Sequence, residues 1–185
     1  SGNMYVADRG NNLIKKITSA GVVTTFAGSG SQGSANGTGT AASFNNPTAI
    51  TIDNNGNLLV AEKGNPTSDF GVHYTGNIRK ITPAGVVTKI AYGGFQPLSG
   101  IAVDTSGIIY VVDRQYIWKV TEVTASNGTV TWNSIIMNQS SDDYSHVFNK
   151  PGEVAVDGSG NLYIAMAGSH RITKITAAGV ITKYV

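Results

Sequence analysis

Short apolar runs and polar turns alternate along the whole chain, and the same order of segments recurs four times. In the last copy, residues 153–157 and 162–165 form apolar runs, whereas residues 171–176 and 180–184 alternate polar and apolar side chains. Short apolar runs bounded by turn residues are typical of buried strands, and alternation is typical of strands with one solvated face. Each copy therefore predicts a meander of four antiparallel strands, with the apolar pair innermost.

The turn glycines fix the length of the repeat. Gly2, Gly56, Gly107 and Gly160 hold the same place in successive copies and lie about fifty residues apart. A repeat of this length that contains only short strands is typical of a β-propeller, an all-β fold in which four-stranded blades surround an axis. We expect one propeller segment with four blades, whose ranges are residues 1–27, 47–91, 97–137 and 151–185.

The first copy lacks the inner strand that should precede Gly2. A partial ring would leave unpaired strand edges, which ring closure removes. We therefore expect the chain to be part of a larger ring. The ring would be completed by the remainder of a longer chain or, alternatively, by self-association of partial rings.

The four copies differ mainly in the loops that follow the second and fourth strands, which emerge at the same end of a blade. We call this end the loop-rich rim; its irregular segments are residues 28–46, 63–76, 91–97 and 138–150. Loops on a rigid scaffold commonly carry recognition, so we predict that a ligand binds here. The candidate ligand-binding residues are Phe70, His73, Tyr74, Tyr92, Tyr144 and His146.

Three phenylalanines on this rim, Phe44, Phe95 and Phe148, each precede a segment that contains proline and leads into an inner strand. Their simplest role is to fill the space between neighbouring blades, and we favour this interpretation for Phe44 and Phe148. For Tyr74 and Tyr144, packing and ligand binding remain equally open, because tyrosine offers both an apolar face and a polar edge.

An acidic residue followed by a basic one closes the second strand in three copies. These channel-mouth residues are Asp8, Arg9, Glu62, Lys63, Asp113 and Arg114, and Met166–Ala167 replaces the pair in the last copy. Alternation would point one member of each pair towards the central channel or its mouth, where a ring of acids could bind a cation or polar ligand. We favour the alternative, in which the residues cap the following turn and pair with each other.

Basic residues also recur in the third strands, between apolar residues. They are Lys15, Lys16, Arg79, Lys80, Lys119 and Lys174. We interpret these cations as solvated side chains that discourage association between sheets.

Composition narrows the classes of function. The charged fraction is 13% and the net charge is +2, and no basic run indicates a nucleic-acid partner. No apolar run is long enough to span a membrane. A surface rich in Asn, Ser and Thr favours a secreted or cell-surface bacterial protein. The absence of cysteine rules out thiolate chemistry. The chain has three histidines, and His170 occupies the turn position that Asn12 holds in the first copy. We therefore expect no metal and no cofactor.

The phrases GNLLVAEKGN, GNLYIAMAGSHRITKIT and MYVADRGNNLIKKITSAGVVTTFAGSG resemble NHL repeats, the blades of a β-propeller family. The resemblance implies a propeller, and in that family mostly binding platforms for protein or RNA, although related propellers include lyases and lactonases. Fold alone does not fix activity. We predict a non-enzymatic module that presents its loop-rich rim to a protein or glycan. The alternatives are a lyase or hydrolase with a metal at the channel mouth, or a structural spacer.

Overall fold

The computed structural model describes residues 2–65, 76–91, 95–137 and 150–185, which form four antiparallel sheets in chain order. We call these sheets blades 1 to 4. Blade 1 contains β1 (Met4–Asp8), β2 (Leu13–Ile17) and β3 (Val23–Ala27). Blade 2 contains β4 (Gly37–Thr38), β5 (Pro47–Ile52), β6 (Leu58–Glu62), β7 (Asn77–Ile81) and β8 (Val86–Ala91). Blade 3 contains β9 (Gly100–Val103), β10 (Ile109–Val112), β11 (Ile117–Thr124) and β12 (Val130–Ile136). Blade 4 contains β13 (Pro151–Val156), β14 (Leu162–Met166), β15 (Arg171–Ile175) and β16 (Ile181–Lys183).

The strand order confirms the predicted meander. Consecutive strands pair in blades 3 and 4, and the apolar second strands β6 and β10 are buried along their whole length. Blade 1 has three strands among the described residues, and β1 pairs there with β2 alone. Short 3-10 turns cover Arg9–Asn11 and Gly39–Ala41. No helix in the described ranges is long and apolar enough to cross a membrane.

One turn geometry explains the recurring glycines. After β13, the Asp157 N–H donates to the Asn161 carbonyl (2.9 Å) and the Gly160 N–H donates to the Asp157 carbonyl (3.0 Å). Gly160 has φ of 79°, a left-handed conformation that glycine adopts without steric cost. The Asp157 carboxylate accepts the Ser159 and Asn161 N–H groups and so secures the turn. The same hydrogen bonds recur at the turns that end in Gly56 and Gly107.

Adjacent blades pack through apolar clusters. Phe44, Val60 and Ile14 belong to the cluster between blades 1 and 2, and Tyr110 and Ile164 belong to the cluster between blades 3 and 4. The inner strands β5, β9 and β13 contact one another in order, so they surround a common axis. Blades 3 and 4 approach so closely there that a Cβ on Gly100 would lie 2.7 Å from the Gly152 carbonyl oxygen. Glycine is therefore required at position 100.

The segment between blades 1 and 2, residues 28–46, is not the simple rim loop that the sequence predicts. We call it the connector. Its residues Gly37–Thr38 form β4, which pairs with β8 and gives blade 2 a fifth strand. The Gly39 N–H donates to the Gly85 carbonyl (2.9 Å), which lies in the turn at the opposite end of the blade. The connector therefore runs along the edge of blade 2 to the far face.

Candidate functional site

The six aromatic and histidine candidates of the loop-rich rim lie outside the described residues. They are Phe70, His73, Tyr74, Tyr92, Tyr144 and His146. Their role in ligand binding stays a prediction. The six channel-mouth residues, by contrast, are all described.

Two acids of the channel-mouth pairs, Glu62 and Asp113, are buried inside the blades, whereas Asp8 is half-buried. The Asp113 carboxylate is fully buried and accepts the Gln115 and Tyr116 N–H groups (2.8 and 2.7 Å) and the indole N–H of Trp118 (2.8 Å). Asp8 accepts both of its hydrogen bonds from the Asn11 side-chain amide (2.9 and 3.0 Å). Asp113 and Asp8 therefore bond within the turns that follow the second strands, which is the capping part of the structural interpretation.

Glu62, the third acid, is also fully buried, and its partner is Arg79. Glu62 Oε1 accepts the Asn45 N–H (2.8 Å) and lies 3.4 Å from Arg79 Nη1. Burial raises the pKa of Glu62, and the Arg79 charge offsets part of this effect. Glu62 is therefore held inside blade 2, away from the channel.

The interpretation of the third-strand cations as solvated is wrong for Arg79, whose side chain is 0% exposed. Its guanidinium donates to the Ser43 carbonyl (2.8 Å) and the Ala35 carbonyl (2.8 Å) of the connector, and it lies over the Phe44 ring. Arg79 therefore clamps the connector to blade 2. Buried charges need this degree of pairing, because desolvation is costly. One feature of the sequence indicates this burial: Trp118 occupies the matching position in blade 3. A large aromatic residue there indicates that side chains at this position face inwards.

The three bases of the channel-mouth pairs converge. Arg9 of blade 1, Lys63 of blade 2 and Arg114 of blade 3 line one pocket of about 420 Å³. The pocket also has Thr48, Pro97, Leu98 and Ser99 in its walls. Because it is built from the starts of inner strands and the ends of second strands, it opens at the axis on the loop-rich rim. We call it the axial pocket.

Hydroxyl groups fix the walls of the axial pocket. Thr48 Oγ1 donates to the Leu98 carbonyl of the next blade (2.9 Å), and Ser99 Oγ donates to the Gly152 carbonyl of the blade after it (2.9 Å). These hydrogen bonds join the inner strands of blades 2, 3 and 4. The part of the wall that Thr48, Leu98 and Ser99 form is therefore held in place from blade to blade.

The electrostatics of the axial pocket are the reverse of the ring of acids that was the less favoured possibility for these residues. Glu62 and Asp113 are buried inside the blades and Asp8 is bonded to the Asn11 side chain, and none of the three lines the pocket wall. Two guanidinium groups and one ammonium group remain at the wall. Guanidinium binds carboxylate and phosphate in a bidentate manner, and ammonium adds a point charge. The pocket is thus suited to an anion.

A larger groove of about 690 Å³ lies on the outside, between blades 2 and 3. Its walls include Lys80, Lys89, Glu122 and Trp132, which belong to the outer strands. This groove is formed by the divergence of two blades away from the axis, and its charges are of both signs. It therefore offers less chemical selectivity than the axial pocket. Among the described residues, no group of three or more His, Asp or Glu side chains is close enough to hold a metal ion.

Comparison with models of protein families finds no match, and comparison with proteins of curated function finds none either. Solved structures do match. A streptogramin B lyase superposes with a TM-score of 0.60 at 15% identity, over 99% of this chain and 51% of that chain. A gluconolactonase from Xanthomonas campestris gives 0.68 at 14% identity, over 99% and 58%. A luciferin-regenerating enzyme gives 0.61 at 18% identity, over 94% and 56%.

The fold is that of a β-propeller. These similarities confirm the predicted fold class, and at such low identity they show the fold alone. The chain spans a little over half the length of the three propeller enzymes named above. Membership of the NHL family stays a prediction.

Proposed function

We propose that the axial pocket binds a small organic anion, and that the chain is the anion-recognising part of a propeller that processes such a molecule. The observation that carries the proposal is the convergence of Arg9, Lys63 and Arg114 from three blades on one pocket. Three cations on one wall create a positive potential that attracts an anion, and guanidinium groups bind carboxylate in a bidentate manner.

The structural neighbours favour an enzyme over the binding module that we expect from the sequence. All three are propellers named for an enzymatic activity. Lactone opening is a reaction that suits a cationic pocket. Water adds to the carbonyl carbon and loses a proton to solvent, which places negative charge on the carbonyl oxygen. The ring C–O bond then breaks, its oxygen becomes a hydroxyl group, and the product is a carboxylate. Cations fixed near the carbonyl oxygen would stabilise the transition state and the product. We therefore propose a lactone or its hydroxycarboxylate as the ligand class.

A metal ion at the channel mouth, part of the enzymatic alternative, does not fit the axial pocket. Metal ligands are carboxylates, imidazoles or carbonyls, whereas the charged groups that the structure describes in this wall are cations, which would repel a metal ion. Any metal-dependent step would have to use residues other than those of the axial pocket.

A binding-only function is the second candidate, and one observation favours it. Among the described residues, the side chains that line the axial pocket include cations and hydroxyl groups but no carboxylate or imidazole that could act as a general base. In that case the pocket would recognise an anionic group of a protein or glycan. A protein or glycan partner and an extracellular or cell-surface location stay predictions.

Titration with gluconate tests the proposal, with the neutral polyol sorbitol as the comparison ligand. We expect gluconate to bind, sorbitol not to bind, and the affinity for gluconate to fall with added salt. Arg9→Gln, Lys63→Gln and Arg114→Gln should each weaken binding by about three- to tenfold. Lys183→Gln, the same charge change at an exposed position of β16, should have no effect. Equal binding of gluconate by all four variants would overturn the assignment.

Turnover separates the two candidate functions. The protein is mixed with glucono-δ-lactone and the release of acid is compared with the spontaneous rate. Acceleration that is lost in Arg114→Gln would support the enzyme, and gluconate binding without acceleration would support the binding-only function.

A further inference from the structure

Two phenylalanines show how one blade is joined to the next. Phe44 and Phe95 each lie two or three positions before a proline that begins the approach to an inner strand, in the sequences Phe-Asn-Asn-Pro and Phe-Gln-Pro. We call such a sequence a lead-in segment. Both rings are buried, with 0% and 1% of their surface exposed. The structure thus confirms the plug role favoured for Phe44.

Each ring fills an apolar socket on the blade that it follows. Phe44 belongs to one apolar cluster with Ala7, Ile14 and Ala27 of blade 1. A Cβ on Gly28, at the end of β3, would lie 3.1 Å from the Phe44 ring, so the ring sits at the rim end of the blade. Phe95 belongs to one cluster with Ala61 and Ile78 of blade 2. The socket is therefore a repeated feature of the face with which a blade packs against the next blade along the chain.

Strand register identifies the same socket in blade 4. Ile14 pairs with Ala7 and Ala27, and Ile78 pairs with Ala61. In blade 4 the central residue is Ile172, which pairs with Ala165, and its N–H donates to the Val185 carbonyl. Ala165, Ile172 and Val185 are thus the socket residues of blade 4.

These three residues line an open pocket of about 360 Å³, together with Met166 and His170. Ala165 and Ile172 are half-buried, whereas Ile14 and Ile78 under their phenylalanine plugs are 0% exposed. We call the pocket the blade 4 socket.

We propose that the blade 4 socket binds the phenyl ring of a lead-in segment supplied by a further propeller blade. The occupant is a peptide of the form Phe followed by one or two residues and Pro, continuing into an apolar strand. Both described lead-in segments of this chain are already in use, because Phe44 and Phe95 fill the sockets of blades 1 and 2. Phe148 leads into β13 of blade 4 itself. Among its described residues, a second copy of the chain therefore has no free segment to donate.

His170 supports the same assignment through the backbone. Asn12 and His170 hold equivalent turn positions and share a left-handed conformation, with φ of 54° and 50°. Asn12 Oδ1 accepts the N–H of Asn46, two residues after Phe44 (3.0 Å). His170 lines the blade 4 socket with a ring nitrogen that can accept a hydrogen bond from a docked segment in the same way.

The test uses a labelled peptide with the sequence of residues 44–53, FNNPTAITID, added to the 185-residue chain. We expect saturable binding by fluorescence anisotropy, with amide shifts in the ¹⁵N spectrum at Ala165, Ile172 and Val185. A peptide with alanine in place of its phenylalanine should bind at least about tenfold more weakly, because the ring provides most of the buried area.

Ala165→Phe should fill the socket from within and reduce peptide binding by at least about tenfold. Ala178→Phe, in the exposed turn at the other end of blade 4, is the matched control and should bind the peptide like the parent chain. Equal binding of the two peptides, equal binding by Ala165→Phe, or no binding would overturn the proposal. Sedimentation that shows a dimer dissociated by Ala165→Phe would also overturn it, in favour of a second copy as the occupant.

Discussion

Blades 2 and 4 have the same strand pairing but different chemistry at equivalent positions. In blade 2 the buried positions 62 and 79 hold Glu62 and Arg79, which form an ion pair. In blade 4 the equivalent positions hold Met166 and Thr173, which are also buried. The socket of blade 2 is filled by Phe95, and that of blade 4 is open. The backbone repeat therefore fixes where a side chain points, and the side chain alone decides what forms there.

The comparison also explains why the buried ion pair is tolerated. Arg79 donates to two carbonyl groups of the connector as well as contacting Glu62, so its charge is not left without hydrogen bonds. A buried pair of this kind contributes to specificity by fixing one position of the connector. Thr173 has no such partner: among the described residues its buried hydroxyl accepts and donates no hydrogen bond.

The largest effect should come from emptying a filled socket. Phe44→Ala converts the blade 1 socket into one like that of blade 4, and we expect it to lower the free energy of unfolding by about 4 kcal/mol. Urea denaturation followed by circular dichroism measures the loss. Phe26→Ala is the control. Phe26 is only half-buried, so its substitution should lower the free energy of unfolding by less. A loss below about 1 kcal/mol for Phe44→Ala would show that the plug is not structural.

Breaking the ion pair of blade 2 should have the next largest effect. Arg79→Met leaves Glu62 buried without its counter-charge, and we expect a loss of about 3 kcal/mol in the same denaturation assay. The double variant Glu62→Met with Arg79→Met brings blade 2 closer to the apolar character of blade 4 and should recover part of the loss. Lys80→Met, at the neighbouring position, should change the free energy of unfolding little. If the double variant were no more stable than Arg79→Met, the pairing argument would fail.

In blade 4 the corresponding change should stabilise the protein. Thr173→Val replaces a buried hydroxyl that lacks a partner with a methyl group of similar shape, and we expect a gain of about 1 kcal/mol. Thr182→Val, at an exposed position of β16, is the matched control. Thermal unfolding of both variants gives the difference, and a destabilised Thr173→Val would indicate a partner for this hydroxyl.

The smallest effect is a pH dependence that belongs to blade 2. Burial raises the pKa of Glu62, so the folded state holds this proton more tightly than the unfolded state. Its contribution to stability is therefore present below pH about 4.5 and is lost as the pH rises through the folded pKa. The stability of the parent chain relative to Glu62→Gln should fall over that range, as measured by denaturation at several pH values. Glu122→Gln, at an exposed position, should show the same pH dependence of stability as the parent chain. An equal pH dependence in the parent chain and in both variants would refute the assignment.

Much of the fold could be predicted from the sequence because its cause is local. The run Leu58–Glu62 is continuously apolar up to its last residue, and the turn glycines such as Gly160 recur in register, so strand order followed directly. The plug role of Phe44 was also predictable from its place before an inner strand. The burial of Arg79 was missed, because a strand with alternating residues does not itself reveal which face another segment covers, and the one signal was Trp118 at the matching position of blade 3.

The candidate site also combines features that the sequence determines with features that it leaves open. The sequence determined that acid-base pairs end the second strands of three blades, that the first copy lacks a strand, and that the repeat is a propeller blade. Only the tertiary structure decided that Asp113 is buried against a turn and Glu62 against Arg79, while Arg9, Lys63 and Arg114 line one pocket at the axis. The reason is physical: the direction of a side chain at a strand end depends on the hydrogen-bond partners that neighbouring segments supply, and those partners lie far away in the chain.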